Sequence, residues 1–285
     1  MIKDIVCSAI CLKRTYPDTH GIVLDTLRGS KIMILQEVKQ PVLHSAVSKA
    51  ATLLGASDVS IVDNVVWEHD YMGRVFSTMA DAIFVTTTTH HCIKRFSEHS
   101  AVPVMCMHSR THASIQALAT IMTIMEEYGC MNNLNVGYLG PPHPVLNSFL
   151  LLHPMLGANF KYKCCCDKVP VTPLLFKASE DLSTELHTEM KACTSREEVF
   201  KNVNVIIAGP TTKKKEKLKY FKITADEIDK NSQRWYFIHI CPRGQEVDDK
   251  LFNHSNARTY TMFDNMHYVA AAMMANAIIG KLFCY

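Results

Sequence analysis

Along this chain, short apolar runs alternate with stretches whose apolar residues recur every three or four positions. Lys31–Leu35 is the first such run, and from about Leu43 a helical period takes over, so that Lys31–Gly55 reads as strand, loop and helix. The same alternation continues with strands predicted at Asp58–Val62, Ala82–Thr87 and Val102–Met107, and helices at about Gly73–Ala80, His91–His99 and His112–Tyr128. In the last of these, Ile115, Leu118, Ile121, Met122 and Met125 form one apolar stripe of period 3.6. Gly129–Asn133 is a break, with Gly129 placed as a helix C-cap. The pattern then restarts with a strand at Leu134–Leu139, a helix at Val145–Leu156 and strands at Phe160–Cys165, Val203–Ala208 and Arg234–Ile240. A capping box from Ser195 to Glu198 opens a short helix, and an apolar helix at Val269–Ile279 closes the chain. Strands alternating with helices predict an α/β class with parallel sheets. Two rounds of that alternation predict two α/β domains, at 1–130 and 131–285.

Composition changes this picture little. A length of 285 residues exceeds what one core usually fills, and 48% hydrophobic with 20% charged residues describes an ordinary globular chain. A net charge of +3 gives no reason to expect nucleic acid or a membrane surface as partner, and no apolar run is long enough to span a bilayer. The N-terminal stretch lacks the features of a cleaved leader, and Asp4 and Asp18 argue against an acid-poor transit peptide. Eleven scattered cysteines suggest reduced thiols and a cytoplasmic location. Lys213–Lys219 reads as a solvated basic face.

In a doubly wound fold, ligands sit beyond the carboxyl ends of the strands, and a helix start there attracts anions. The turn after the first strand has that position but offers Val38, Lys39, Gln40, Pro41, Val42 and Leu43, poor in the small and guanidinium donors a phosphate needs. Histidines gather at such strand ends: His44, His90, His91, His108, His112, His143 and His239. Protonated imidazoles there could hold an anion and neutral ones a metal, although fourteen histidines spread over loops also produce neighbours by chance. No ligand spacing singles out a metal or cofactor. Cys164, Cys165 and Cys166 alternate faces along a strand, which suits core packing rather than one ion. His239 and Cys241 share a face, but without a positioned third group they do not make a nucleophilic site.

Three stretches together carry a resemblance: Val102–Gly129, Leu134–Cys165 and Arg234–Phe252 (RWYFIHICPRGQEVDDKLF). Each resembles a landmark of the ornithine and aspartate carbamoyltransferases, with the ornithine branch closer; the third matches an H-C-L-P-R followed by an E-V-D-D run. Ser45–Gly55 with its closing LLG, Met79–Val85 (MADAIFV) and Phe221–Thr224 also fit, so the resemblance covers the chain from about Lys31 onward. It implies two doubly wound parallel-sheet domains with a cleft between them, a truncated first helix before Lys31 and the C-terminal helix (about 267–280) packing back on the first domain, with carbamoyl phosphate in the first domain, the amino acid in the second and an active site in the cleft. A homotrimer is implied as well, and mitochondria become an alternative compartment.

Carried over position by position, the family's S-T-R-T-R loop falls on Gln40–His44, where neither arginine nor the hydroxyls are present. The arginine after the A-D-A-I strand falls on Thr86, and a last family arginine on about Met266. Of H-P-x-Q, placed on Ala113–Gln116, only Gln116 matches; His112 stands one residue early, turned by about 100° on a helix. In H-C-L-P-R, His239, Pro242 and Arg243 match, and Cys241 stands one residue late. The G-D-x-N-N loop falls on Gly140–Pro144, and the ornithine-gripping D-x-W-x-S-M-G segment near Ala208–Thr212 is not recognisable.

Each charge-assisted bond to phosphate contributes roughly 1.5–3 kcal/mol, and one lost transition-state donor costs on the order of 10²–10³ in rate. The expectation is therefore a non-catalytic, ornithine carbamoyltransferase-like protein acting by binding, as a regulatory or structural partner of itself or of a family enzyme. Its weak binding positions are Gln116, Arg243, His239, His112 and His44, open to a small anionic ligand. The alternative is a residual or altered transferase making citrulline from ornithine and carbamoyl phosphate.

Overall fold

The fold comes from a computed structural model that describes residues 1–18, 20–67, 69–164, 173–211, 221–230 and 234–283. The basic run Lys213–Lys219 and the cysteines Cys165 and Cys166 lie outside them. The chain divides into two compact units, Met1–Met122 with Phe263–Tyr285, and Thr123–Met262.

The first unit opens with helix α1 (Ile2–Thr15) and continues β1 (Lys31–Gln36), α2 (Pro41–Leu53), β2 (Asp58–Asp63), α3 (Met72–Ser77), β3 (Ala82–Thr86), α4 (His90–Glu98) and β4 (Val104–His108). Helix α5 (Ser114–Tyr128) leads out of it. Its four strands are all parallel, in the order β2-β1-β3-β4, with Ile34 opposite Ile61 on one side and Phe84 on the other. Every residue of β3 and all but the first of β1 are buried. Helices on both faces of a parallel sheet demand such unbroken apolar runs. On one face Met33, Leu35, Ile83 and Val85 pack with Ile93 and Phe96 of α4.

The second unit runs β5 (Asn135–Leu139), α6 (Pro144–Met155), β6 (Asn159–Lys163), α7 (Pro173–Glu185), β7 (Met190–Ala192), α8 (Arg196–Phe200), β8 (Val205–Ala208), α9 (Ala225–Asp229), β9 (Tyr236–His239) and α10 (Asp249–Phe252). Its five parallel strands are ordered β7-β6-β5-β8-β9. Phe200, Phe221, Trp235, Phe237 and Leu251 anchor the core on one side of this sheet. The final helix, α11 (Thr259–Ile279), starts in this unit and ends in the first.

Three departures from the sequence pattern have identifiable causes. Helix α2 begins at Pro41, two residues before its apolar period, because a proline with fixed φ and no N–H suits a first helical turn. Helix α11 begins ten residues before Val269, since Asn265 and His267 break the apolar pattern but are themselves buried. Asn265 accepts from Lys13 Nζ (2.6 Å). Helix α1 was expected only by resemblance, as a truncated first helix; its Val6, Ala9, Ile10 and Leu12 are buried, and Tyr268 Oη donates to the Tyr16 carbonyl just beyond it (2.8 Å). The capping box forms with a change of partner. Ser195 Oγ accepts from the Glu198 N–H (3.4 Å), while the Glu198 carboxylate accepts from the N–H and hydroxyl of Thr194 (3.2 and 2.9 Å). The expectation of reduced thiols fails at Cys11, which is disulfide-bonded. A disulfide depends on which Cβ atoms the fold brings close, and cysteine count carries no such information. Cys7, Cys92, Cys106, Cys130, Cys164, Cys193 and Cys241 are free.

Candidate functional site

In the first sheet the chain leaves β1 toward β2 on one side, while β3 and β4 lie on the other, so the carboxyl ends of β1 and β3 frame the crevice of a switch point. Glu37 follows β1, and Thr87 and Thr88 follow β3. They meet across the gap. One Glu37 oxygen, Oε2, accepts from Thr87 Oγ1 (2.5 Å), the Thr88 N–H (3.0 Å) and Trp67 Nε1 (3.0 Å), and Oε1 accepts from Thr88 Oγ1 (2.5 Å). Burial acts to raise the Glu37 pKa, but the two threonine hydroxyls, the Thr88 N–H and the indole outweigh it and hold the carboxyl below its usual range. Thr86, fully buried, donates its hydroxyl to the Val38 carbonyl (2.6 Å) and pins the loop.

His44 lies in the first turn of α2, in an open concavity of about 410 Å³ that Gln36, Lys39, Pro41, Ile61 and Asp63 also line. The cations there are partly spent internally: Lys39 Nζ is 2.7 Å from Asp63 Oδ2. A second group forms where β3 and β4 end. The His90 and His112 rings meet edge to face at 5.0 Å, and His90 Nδ1 lies 3.2 Å from Ser109 Oγ, which accepts from the His112 N–H (3.0 Å). Burial, and secondarily the neighbouring His90, push His112 down to about 4, and burial alone lowers His90 and His108. Burial therefore favours the neutral form of these imidazoles at pH 7. Gln116, half-buried, sits one turn beyond His112 in α5.

In the second sheet the switch point lies between β5 and β8. There the backbones come so close that a Cβ on Gly209 would stand 2.1 Å from Tyr138 Oη, and one on Gly140 would stand 2.6 Å from the Gly209 Cα. Glycine is required at both positions. The Tyr138 phenol lies against this junction and donates to the Pro141 carbonyl (2.8 Å). After β9, His239 is fully buried, its Nε2 2.8 Å from Glu246 Oε1, while its Nδ1 accepts from the Cys241 N–H (2.9 Å). Glu246 also accepts from the Gly244 N–H (2.8 Å) and from Thr211 Oγ1. Burial tends to raise its pKa, yet the bonds from His239, Gly244 and Thr211 carry it down to about 2. The Cys241 thiol lies 3.4 Å from His239 Nδ1, and burial pushes it up to about 11. Arg243 pairs with Asp249 (2.7 Å) and stacks over Phe252 (4.6 Å), whose ring also meets His239 edge on at 6.0 Å.

Residues 132–277, about half of the chain, match the family model described as the aspartate/ornithine carbamoyltransferase Asp/Orn binding domain. The chain belongs to the aspartate/ornithine carbamoyltransferase family. The mitochondrial ornithine transcarbamylase of Gallus gallus is 26% identical over 292 residues, covering 97% of this chain and 82% of that protein. An ornithine carbamoyltransferase of Prochlorococcus marinus is 25% identical over 222 residues, covering 73% of this chain and 68% of that one. Among solved structures, the ornithine carbamoyltransferase of Pyrococcus furiosus superposes with a TM-score of 0.89 at 20% identity, over 98% of this chain and 94% of that one. The fold is the two-domain α/β carbamoyltransferase fold. No helix among the described residues is long and apolar enough to cross a membrane.

Of the positions inferred from the carbamoyltransferase resemblance, the structure joins His112 to His90 in the first unit, and His239 to Arg243 through Phe252 in the second. His44 stands apart from the histidine pair, beside Lys39 and Gln36. His143 is a helix cap, its Nδ1 accepting from the Val145 N–H (3.2 Å). Among the described residues no group of three or more His, Cys, Asp or Glu side chains is arranged to hold a metal ion. Sequence reasoning passed over Glu37, Thr87, Thr88 and Tyr138, and met Glu246 only as the first residue of the E-V-D-D run. The run of four threonines at Thr86–Thr89, directly after a buried strand, was the available signal.

Proposed function

We propose that this chain is an ornithine carbamoyltransferase-like protein that acts by binding and does not transfer carbamoyl groups. One observation carries the reading: at the β1/β3 crevice, where a phosphate dianion would need fixed cations, stands the carboxylate of Glu37. Gln40–His44 and Thr86 add no guanidinium there, and an incoming dianion beside a carboxylate is repelled. Arg243, matched to the family motif, is occupied by Asp249, and the motif's cysteine position holds Ile240. Gln116 and His239 complete a fragment of a site rather than a working one.

The test is citrulline formation from ornithine and carbamoyl phosphate by the purified protein. The expected rate is that of the buffer. Turnover above buffer that Arg243→Ala abolishes would establish the alternative, a residual transferase. The proposed partner is a second copy of the chain or a transferase of the same family, expected as a trimer by resemblance. Light scattering of the protein, alone and mixed with such an enzyme, tests this, and a strict monomer in both samples refutes it.

A further inference from the structure

Three buried side-chain atoms of the second unit find no hydrogen-bond partner among the described residues: His153 Nε2, Ser183 Oγ and Thr188 Oγ1. Strands β5, β6 and β7 are parallel, so helices α6 and α7, which link them in turn, run side by side in the same direction. Pro154 has no N–H for the Leu150 carbonyl one turn back, and Ser179 Oγ of α7 donates to that carbonyl instead (2.5 Å). Ser183 stands one turn after Ser179, which brings it level with Pro154 and His153. Thr188 follows just beyond α7, its N–H donating to the Ser183 carbonyl (2.9 Å). The next residue, Glu189, accepts from the Phe160 N–H (2.8 Å), and the Phe160 ring is the one on which His153 stacks, at 4.6 Å. The three atoms therefore share one layer, between α6, α7 and the start of β6.

Their chemistry is complementary to one small polar molecule. His153 Nδ1 donates to the Phe149 carbonyl (3.0 Å), and burial favours the neutral imidazole, so Nε2 is a bare acceptor. The two hydroxyls each bring a donor and an acceptor. None of the three atoms carries a charge, and an ion without a counter-charge is expensive at such a depth. We propose that one ordered water is bound in this layer, donating to His153 Nε2 and accepting from the Ser183 and Thr188 hydroxyls. Buried waters characteristically make about three such bonds, and polar groups left unpaired in a core are costly. The water is a structural ligand of the second unit, tying α6 to α7 where Pro154 interrupts the helical ladder. This holds whether or not the chain transfers carbamoyl groups.

The sign of an isosteric substitution tests this. Thr188→Val keeps the shape of the side chain and removes its hydroxyl. With a bridging water lost or left short of a partner, urea unfolding of the full chain at pH 7 should give a folding constant about threefold to tenfold lower than that of the wild type. A constant equal to or higher than the wild type's would mean that the hydroxyl had no partner, and would overturn the proposal. The water itself is counted by magnetic relaxation dispersion of the water resonance, which detects molecules held inside the protein. The combined variant His153→Phe, Ser183→Ala and Thr188→Val should hold one such water fewer than the wild type, and an equal count would overturn the assignment. If these variants do not fold, the wild type decides. Its His153 Cε1 proton, beside Nε2, should show a nuclear Overhauser effect to water, and the absence of that effect would refute a bound water there.

Discussion

Glu246 is the most exposed test of the electrostatics after β9, because it is 1% accessible and lies against His239. Its carboxyl titrates at about 2 in the folded chain against 4.5 for an unperturbed glutamate. Each pKa unit corresponds to about 1.36 kcal/mol, so ionised Glu246 favours the folded second unit by up to about 3 kcal/mol at neutral pH. The sign follows from the direction of the shift. A depressed carboxyl contributes its full stabilisation above the unfolded value of 4.5 and loses it as pH falls toward about 2. Glu246→Gln keeps the volume and one acceptor for His239 but cannot ionise. It should destabilise the second unit by about 2–3 kcal/mol at pH 7, and this gap should shrink steadily below pH 4.5. Urea unfolding followed by Trp235 fluorescence reads that unit when Trp67 is replaced by phenylalanine, since the two tryptophans lie in different units. Comparing wild type with Glu246→Gln at each pH cancels the other titrating groups. A gap of the same size at pH 7 and pH 3 would refute the reasoning, because it would assign the effect of the substitution to packing rather than to charge.

Gly209→Ala forces a Cβ to within 2.1 Å of Tyr138 Oη, and overpacking of this kind should cost about 2–3 kcal/mol; Tyr138→Phe in the same chain should recover part of it in a denaturation series, and additivity of the two changes would count against the clash. His112 is depressed to about 4 by burial and by His90, so its contribution to the first unit is complete above about 6.5 and lost as pH falls through 4. Its imidazole resonance should titrate near 4, and a midpoint at 6 or above would refute the burial. Under alkylation by iodoacetamide at pH 8, exposed Cys130 should react ahead of Cys106, Cys193 and Cys241, each pushed up to about 11 by burial; peptide mapping of the modified chain checks the order. Arg243→Ala should lower stability by only about 0–1 kcal/mol, since its partner Asp249 is 83% accessible, and a loss above 3 kcal/mol would show that the stack on Phe252 dominates.

The strands were legible because a parallel sheet covered on both faces favours apolar residues, and β8 and the interiors of β1 and β3 show that requirement. Helix α1 was hard to read as a helix from its own residues, because a short N-terminal apolar stretch also suits a leader, and only the burial of Val6, Ala9, Ile10 and Leu12 separates the two. The start of α11 was missed for a different reason. Asn265 and His267 are polar in the sequence and buried in the fold, and only a tertiary partner such as Lys13 makes that tolerable. The site divides in the same way. His239 and Arg243 lie within one contiguous motif and could be placed from the chain alone. Glu37 could not, since its donors come from residues 30, 50 and 51 positions away.

Strand interiors and strand ends are held by different forces, which explains how a chain 20% identical to the Pyrococcus furiosus enzyme superposes on it with a TM-score of 0.89. Within the sheets, burial on two faces and close approaches such as Gly137 beside Val199 leave few alternatives at each position. Beyond the carboxyl ends of the strands no core constrains the residue; what remains is the need to satisfy exposed backbone and polar groups. Ligand donors can meet that need, and so can the chain itself. At β1/β3 the donors are met by Glu37, and at β5/β8 the junction of Gly140 and Gly209 is closed against Tyr138. Each switch point therefore satisfies polar groups from within the chain, Glu37 with Thr87, Thr88 and Trp67, and Tyr138 with the Pro141 carbonyl. Such an arrangement stabilises each unit without any bound molecule.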